Sequence, residues 1–551
     1  MARAGLARTV FTTPFTTFVA AGVAAAVVAA SFGDDDRVPG LRAVRAEDGP
    51  MPASPERHRA FLPFAARNDA WAPGPPRGWG TQFSMEFDAA EHALDVSVDL
   101  PRLAAAGIGS LRTNLYWRDV EPTNTTPDRF DWSRYDDRLA AYSADGRDVV
   151  VSIVAYPKWA MVYGCGFGYT TPEMADEWRS FVRAAAERYR AAPYRIAAWE
   201  IGNEIDGKTT VTADDRKRPP DWGGDEPAAQ TGGCWGNRVA EYVDFLRVAH
   251  EEVKRAAPGT RVTFGNLAYA DVEERFHMDF LDRFLELGGG SFIDYAGYHW
   301  FPDVQAAFPT EPLGPDLFYR FRATLRRHGV GVPIWITETN RGTNEGSNAL
   351  DARQVTYLTQ LLPRVLAAGD VERVYWYAWG DFPGQVPGFW QRGLIRADRS
   401  PKPALYALPT VRRFTNGRGS VLRDDDIVAL AFQVPRALDR HVIAWSPDGR
   451  SRTLDLPAAP GETATVTTLP MEMLSAGRCC AVRQLGQRDG RFRVAVGAES
   501  VLVEVRREAT PGASAPGVGR MRSPWADWPR SGRNVRIAAA APRPTGRIGP
   551  P

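Results

Sequence analysis

Cysteine is nearly absent from this 551-residue chain. Cys165, Cys234, Cys479 and Cys480 are all there are, too few for a disulfide scaffold and without metal-ligand spacing. Lysine is scarce as well, and nearly all basic residues are Arg, which reads as a genomic composition bias before anything mechanistic. Charge of one sign is not in excess: 67 basic against 66 acidic residues leave a net charge of +1, so nothing argues for a nucleic-acid partner. Repeated long apolar runs are missing. With 44% hydrophobic and 24% charged residues, the chain is not a polytopic membrane protein, collagen-like or disordered throughout. No internal repeat is found. Aromatics, by contrast, are plentiful at 11%, with 17 Trp, enough to keep a stacking ligand in view.

The two ends differ from the middle. Residues 1–31 read as an export signal: Arg3 and Arg8, an Ala/Val-rich run from Val19 to Ala30, and small residues at Val28-Ala29-Ala30 suited to cleavage. An uncleaved anchor is the alternative, because Thr12 to Phe32 carries no charge. The expected location is extracellular, or the cell surface if anchored. In an exported chain Cys165 and Cys234 are expected to pair, against the alternative of two free thiols; the adjacent Cys479-Cys480 carries no reading. Residues 32–75, rich in Pro, Arg and Asp, look like a linker. Residues 507–551 hold eight Arg against Glu508 and Asp527, with eight Pro and six Gly, and are expected to be disordered.

Between them, residues 76–408 alternate short β-type runs with amphipathic helical stretches. The candidate strands are Gly78–Phe83, Ser110–Leu115, Asp148–Val154, Ile196–Ile201, Arg261–Asn266, Tyr295–His299, Ile334–Thr337 and Val374–Ala378. The helices are marked by apolar faces such as Trp178, Phe181, Ala185 and Tyr189, and by an interruption at Pro363. Eight strand–helix units imply parallel strands with crossovers. The rival doubly wound sheet lacks a Gly-rich phosphate loop after its first strand, so the reading is α/β, a (β/α)8 TIM barrel with its site at the strands' C-terminal ends. Residues 409–506 then lose helical periodicity and read as a small antiparallel β-sandwich.

Two of those strand ends carry carboxylates. Trp199-Glu200-Ile201-Gly202-Asn203-Glu204 closes the fourth strand, and Ile334-Trp335-Ile336-Thr337-Glu338 the seventh. Two facing carboxylates are the minimum equipment for glycosidic bond cleavage. With them, Leu111-Arg112-Thr113 leading to Trp117 and Val120-Glu121-Pro122, Ala155-Tyr156-Pro157-Lys158-Trp159-Ala160, and Gly393-Leu394-Ile395 with Pro401-Lys402-Pro403-Ala404 resemble, in order and spacing, the clan A retaining glycoside hydrolases, family 39 in particular. The resemblance implies that Glu204 is the acid/base and Glu338 the nucleophile. The two would lie about 5–5.5 Å apart.

By the same resemblance, Asn203 would bind the sugar 2-hydroxyl and Arg112 would hold Glu338 ionised. His299 matches the family's strand-6 histidine, and Trp379 the platform under the −1 sugar. This chain departs from the family at Gly202, where Trp is commoner, and at Phe301, where Tyr usually contacts the nucleophile. Trp117, Trp159, Trp300 and Trp390 stand as sugar contacts or as packing, and Trp235 as a more distant platform. No metal or organic cofactor is expected. The implied partner is an oligo- or polysaccharide, with a membrane involved only through an uncleaved anchor. An inactive sugar-binding barrel and a transglycosidase remodelling a cell-surface glycan are the alternative functions.

Overall fold

The computed structural model describes residues 78–82, 96–160, 172–207, 235–236, 238–269, 276–301, 316–343, 348–367, 370–381, 391–433 and 439–507. The export segment, the linker, nearly all of the tail, Cys165, Cys234 and Trp390 lie outside them. Among the described residues no helix is long and apolar enough to cross a membrane.

Eight strands form one parallel sheet: β1 (Gly78–Gln82), β2 (Ser110–Tyr116), β3 (Asp148–Val154), β4 (Ile196–Ile201), β5 (Arg261–Phe264), β6 (Ala296–Trp300), β7 (Ile334–Thr339) and β8 (Val371–Trp376). They run in the order β5-β4-β3-β2-β1-β8-β7-β6. The two end strands meet beyond β5, where Leu267 bridges Tyr298; the Leu267 N–H donates to Gly297 O (3.2 Å) and the His299 N–H to Leu267 O (2.9 Å). The strand readings hold to within a few residues, the eighth starting three residues earlier than expected.

Helices α1 (Val96–Ala105), α2 (Ser133–Ser143), α3 (Pro172–Tyr189), α4 (Val239–Ala256), α5 (Phe280–Glu286), α6 (Asp316–Arg327) and α7 (Asn348–Thr356) fall between successive strands, and α8 (Pro403–Thr415) follows β8. Pro363 acts as expected. Ahead of it the ladder widens to a π-turn over Tyr357–Leu361, and Pro363 sits in the first turn of Leu362–Leu366, where its missing N–H costs no bond.

A parallel strand covered on both faces must be apolar outward, and its inward residues then build layers. The lowest inner layer is Val150, Ala198, Tyr295, Trp335 and Tyr375, with the Tyr295 and Trp335 rings stacked at 3.8 Å. Two residues beyond Val150 and Ala198 come Ser152 and Glu200, which are fully buried, as is Arg112, the β2 partner of Val150. Polar groups thus enter the sheet one layer below the strand ends.

The C-terminal strands are antiparallel: β9 (Arg418–Asp424), β10 (Val428–Gln433), β11 (Arg440–Trp445), β13 (Glu462–Thr468), β14 (Ala481–Leu485) and β16 (Val501–Arg507) in one sheet, β12 (Arg452–Pro457) and β15 (Arg491–Val496) in another. Alternate residues Leu454, Leu456, Phe492, Val494 and Val496 of the small sheet pack on Val442, Val466 and Val503 of the large one. The large sheet's other face, with Leu430, Phe432, Ile443 and Leu502, joins the core of the parallel sheet through Leu408, Val411 and Phe414 of α8. Cys479 and Cys480 form a vicinal disulfide, both sulfurs within hydrogen-bond reach of Thr410 Oγ1.

Gly297 on β6 is sterically required. A Cβ there would stand 1.5 Å from Asn266 Oδ1, and Asn266 is itself fully buried. Gly297→Ala is therefore expected to lower unfolding free energy by about 1–3 kcal/mol, the cost of overpacking. Gly259→Ala, which meets nothing within 4 Å, should be neutral in the same urea titration; equal midpoints for the two variants would refute the packing argument.

Candidate active site

The site grows from one side chain. Arg112, wholly buried, donates from Nε to Glu200 Oε2 (2.7 Å), from Nη1 to Glu338 Oε1 (2.7 Å) and from Nη2 to Asn203 Oδ1 (2.8 Å). Burial opposes its charge, but Glu200 and Glu338 outweigh burial and hold it ionised. Glu200 is fixed in turn by Ser152 Oγ (2.5 Å) and the Tyr295 hydroxyl (3.1 Å).

Two backbone irregularities aim the remaining carboxylates. On β7 the pairing shifts register, so that His299 of β6 faces Glu338 rather than Thr337. Strict alternation from inward-facing Trp335 would send Glu338 to the helical side; the extra residue turns it inward, as bulges do. At the end of β4, Gly202 takes φ +95° and Glu204 itself φ +48°, a conformation costly for a residue with a Cβ. A Cβ on Gly265 would stand 2.4 Å from the Gly202 carbonyl carbon, so two glycines let the β4 and β5 ends pass closely. Gly202, where the family resemblance expects Trp, is there for its backbone.

Glu204, 5% exposed, and Glu338, 7% exposed, converge with His299. Nδ1 of His299 lies 3.0 Å from Glu204 Oε1 and 3.6 Å from Glu338 Oε2, and all three residues offer a donor atom within 4.8 Å of the others. Burial, followed by the charges of Glu338 and Asp206, pushes Glu204 well above the usual carboxylate range. Burial also pushes Glu338 up to about 7, against Arg112. The expectation that Arg112 would set the state of Glu338 is thus only half met: the cation is in place, but burial prevails. His299 is kept neutral by burial and by Arg112. The arrangement holds a proton on Glu204 in preference to Glu338. It can also ligate a divalent cation, although Arg112 already neutralises Glu338.

The structure therefore brings together Arg112, Asn203, Glu204, His299 and Glu338. It does not open the tryptophans to a sugar. Trp379 and Trp235 are 0%, Trp300 1% and Trp117 2% exposed. Trp117 stacks on Phe181 and donates to Glu121, Trp235 packs on Phe245 and Tyr242, and Trp300 on Tyr357. These rings are enclosed by protein, which corrects the platform reading of Trp379 and Trp235 and leaves Trp117 and Trp300 as packing rather than sugar contacts. Trp159 is half-buried. The half-exposed aromatics at the strand ends are instead Phe301 and Tyr377, edge to face at 6.2 Å, with the Arg392 guanidinium 5.0 Å from the Phe301 centroid.

Sequence reasoning missed Glu200, Asp206 and Arg392. Glu200 could have been found as a lone charge inside an apolar strand. Asp206, which accepts the Ala268 and Tyr269 N–H groups (3.1 and 2.8 Å) and is pushed up to about 7 by burial, has no local signature.

Solved structures share this fold. A family 39 glycoside hydrolase from the gut symbiont Bacteroides cellulosilyticus WH2 has a TM-score of 0.54 at 19% identity, covering 78% of this chain and 81% of that one. The catalytic domain of family 30 xylanase C from Talaromyces cellulolyticus has 0.53 at 14%, covering 79% and 97%. A conserved exported protein from Bacteroides fragilis has 0.55 at 10%, covering 79% and 98%. The chain shares the α/β fold of these three structures. No protein-family model and no curated protein matches it.

Glu200→Ala would leave the Arg112 guanidinium half-neutralised in the interior. It should cost about 3–5 kcal/mol in urea unfolding, as when one partner of a buried pair is removed; a cost below about 1 kcal/mol, typical of exposed pairs, would show that Glu338 alone suffices.

Proposed function

We propose that the chain is an exported glycoside hydrolase that cleaves O-glycosidic bonds with retention. In this reading the parallel sheet closes through the Leu267–Tyr298 bridge into a (β/α)8 barrel, and residues 76–408 are the catalytic unit accompanied by the 409–506 sandwich. The observation that carries the reading is the Glu204–Glu338 pair. Two buried carboxyls from different strands have oxygens within 4.8 Å, with the guanidinium on only one of them. Inverting enzymes need about 6.5–9.5 Å to admit a water, whereas retaining ones use about 5–5.5 Å.

The residues divide the work. Arg112 holds Oε1 of Glu338 and leaves Oε2 to attack the anomeric carbon. Glu204 gives its proton to the leaving oxygen, and its neutral partner His299 keeps the carboxyl oriented. In the second step Glu204 takes a proton from water, whose oxygen displaces Glu338 from the sugar. Asn203, anchored through Oδ1, has its amide N–H groups for the 2-hydroxyl. A barrel that only binds sugar needs no such asymmetry between two carboxyls. The fold's neighbours include xylanases, so xylosides lead the substrate panel.

On aryl glycosides, Glu338→Ala should abolish turnover and be rescued by azide as a glycosyl azide of inverted configuration. Glu204→Ala should keep rapid glycosylation on substrates with good leaving groups, which need little protonation. NMR of the first-formed product should show the retained anomer; an inverted one sinks the double displacement.

The pH profile is a separate test. Because Glu338 must be ionised and its carboxyl is pushed up to about 7, kcat/KM should rise as pH passes through about 7 and fall when Glu204 loses its proton above it. An acid limb near the ordinary glutamate value of about 4.3 would contradict the ordering.

A further inference from the structure

Three carboxylates outside the active site meet where the loop leaving β2 passes α3. Glu121 follows the helical turn Trp117–Val120, Asp128 lies further along the loop, and Glu177 stands on α3; one oxygen of each is within 4.8 Å of the other two. Among the described residues none of the three is paired with Lys, Arg or His. Each receives one neutral donor: Trp117 Nε1 to Glu121 Oε2 (2.8 Å), Ser180 Oγ to Asp128, and Asn124 Nδ2 to Glu177 Oε1 (3.2 Å).

A second observation comes from Glu121 itself. The residue is 1% exposed, and its other oxygen, Oε1, is buried without any hydrogen-bond partner. A buried carboxylate oxygen is normally satisfied by a donor or a cation. Burial first, and then the charges of Asp128 and Glu177, push the Glu121 carboxyl up to about 7 despite the Trp117 donor. The cluster thus lacks a positive charge on its buried side.

We propose that Glu121, Asp128 and Glu177 bind a hard divalent cation, Ca²⁺ in preference to Mg²⁺, and that the ion ties the β2 loop to α3. The donors are all oxygen, with no imidazole or thiolate to select zinc or copper. Three carboxylates meeting in one place suit Ca²⁺, which takes several carboxylate oxygens in a flexible geometry, better than Mg²⁺, which is usually held by one or two. Water completes the coordination. The site joins the segment after β2 to the helix after β3, on the side of the sheet where Glu204 and Glu338 emerge, and takes no part in the chemistry proposed for them.

The test uses the full chain, dialysed against EDTA and titrated with CaCl₂ or MgCl₂ by calorimetry and thermal melts. One Ca²⁺ per chain should bind, and Tm should rise by a few degrees at about 100-fold excess over Kd, with Mg²⁺ at least about tenfold weaker. Asp128→Asn with Glu177→Gln, both at half-exposed positions, should keep the far-UV spectrum and lose the Ca²⁺ response; Glu177→Gln alone should weaken it. No heat and no Tm change up to about 10 mM Ca²⁺, or an undiminished response in the double variant, would overturn the site. A metal-free chain that instead gains stability from pH 7 to 5, with no Ca²⁺ response, would mean a shared proton neutralises the cluster.

Discussion

A guanidinium enclosed by an eight-stranded sheet is the constraint around which the rest is arranged. Arg112 cannot shed its proton, so its charge must be met inside, and an unmet buried charge costs several kcal/mol. Glu200 and Glu338 meet it from β4 and β7, while Asn203 takes the remaining edge. Each partner then needs a place. Ser152 and Tyr295 fix Glu200, and the β7 register shift brings Glu338 inward. Glu204 is left without a cation of its own beside a second carboxyl, and that inequality separates the two protonation states. The planar fork matters here, because a lysine could not reach three acceptors in fixed directions.

Much of this was legible in the chain. The runs Asp148–Val154 and Ile196–Ile201 stand as strands at the boundaries read from them, because a β-branched, apolar run with turn residues on either side has few other uses. Motif order places Glu204 and Glu338 at the ends of two strands, and the structure brings both beside His299. What alternation alone could not reach was the bulge at Thr337, which arises from how two strands pair and has no local code. The tryptophans misled for another reason. Trp117, Trp235, Trp300 and Trp379 are as apolar inside the protein as beneath a sugar, and composition does not separate those uses. Tyr377 and Phe301 are left partly open at the strand ends, and no local pattern marks them for it. Glu200 lay inside a motif that was read, yet its task appeared only once Arg112 was seen beside it.

The antiparallel region has its own logic. Its small sheet alternates cleanly, with Phe492, Val494 and Val496 inward and Arg491, Arg493 and Ala495 outward, so one face is wet. The large sheet has no such wet face over much of its area. One side meets the small sheet and the other meets α8. Gly419 on β9 permits the approach: a Cβ there would stand 2.5 Å from Ala367 Cα and 2.8 Å from Leu366 O. Ser500 Oγ and Gln360 Nε2 add hydrogen bonds across the same seam, to Thr359 O and Ala498 O.

That shared seam bears on how such a chain can be inherited. Modules joined by tethers are readily shuffled, lost or exchanged by recombination, because each closes its own core. Here Leu408, Val411 and Phe414 of α8 are finished by Leu430, Phe432 and Ile443 from the following sheet, so a crossover between them would expose both halves. Descendants of this architecture should vary in the loops above the strand ends while keeping the parallel and antiparallel sheets as a single heritable piece.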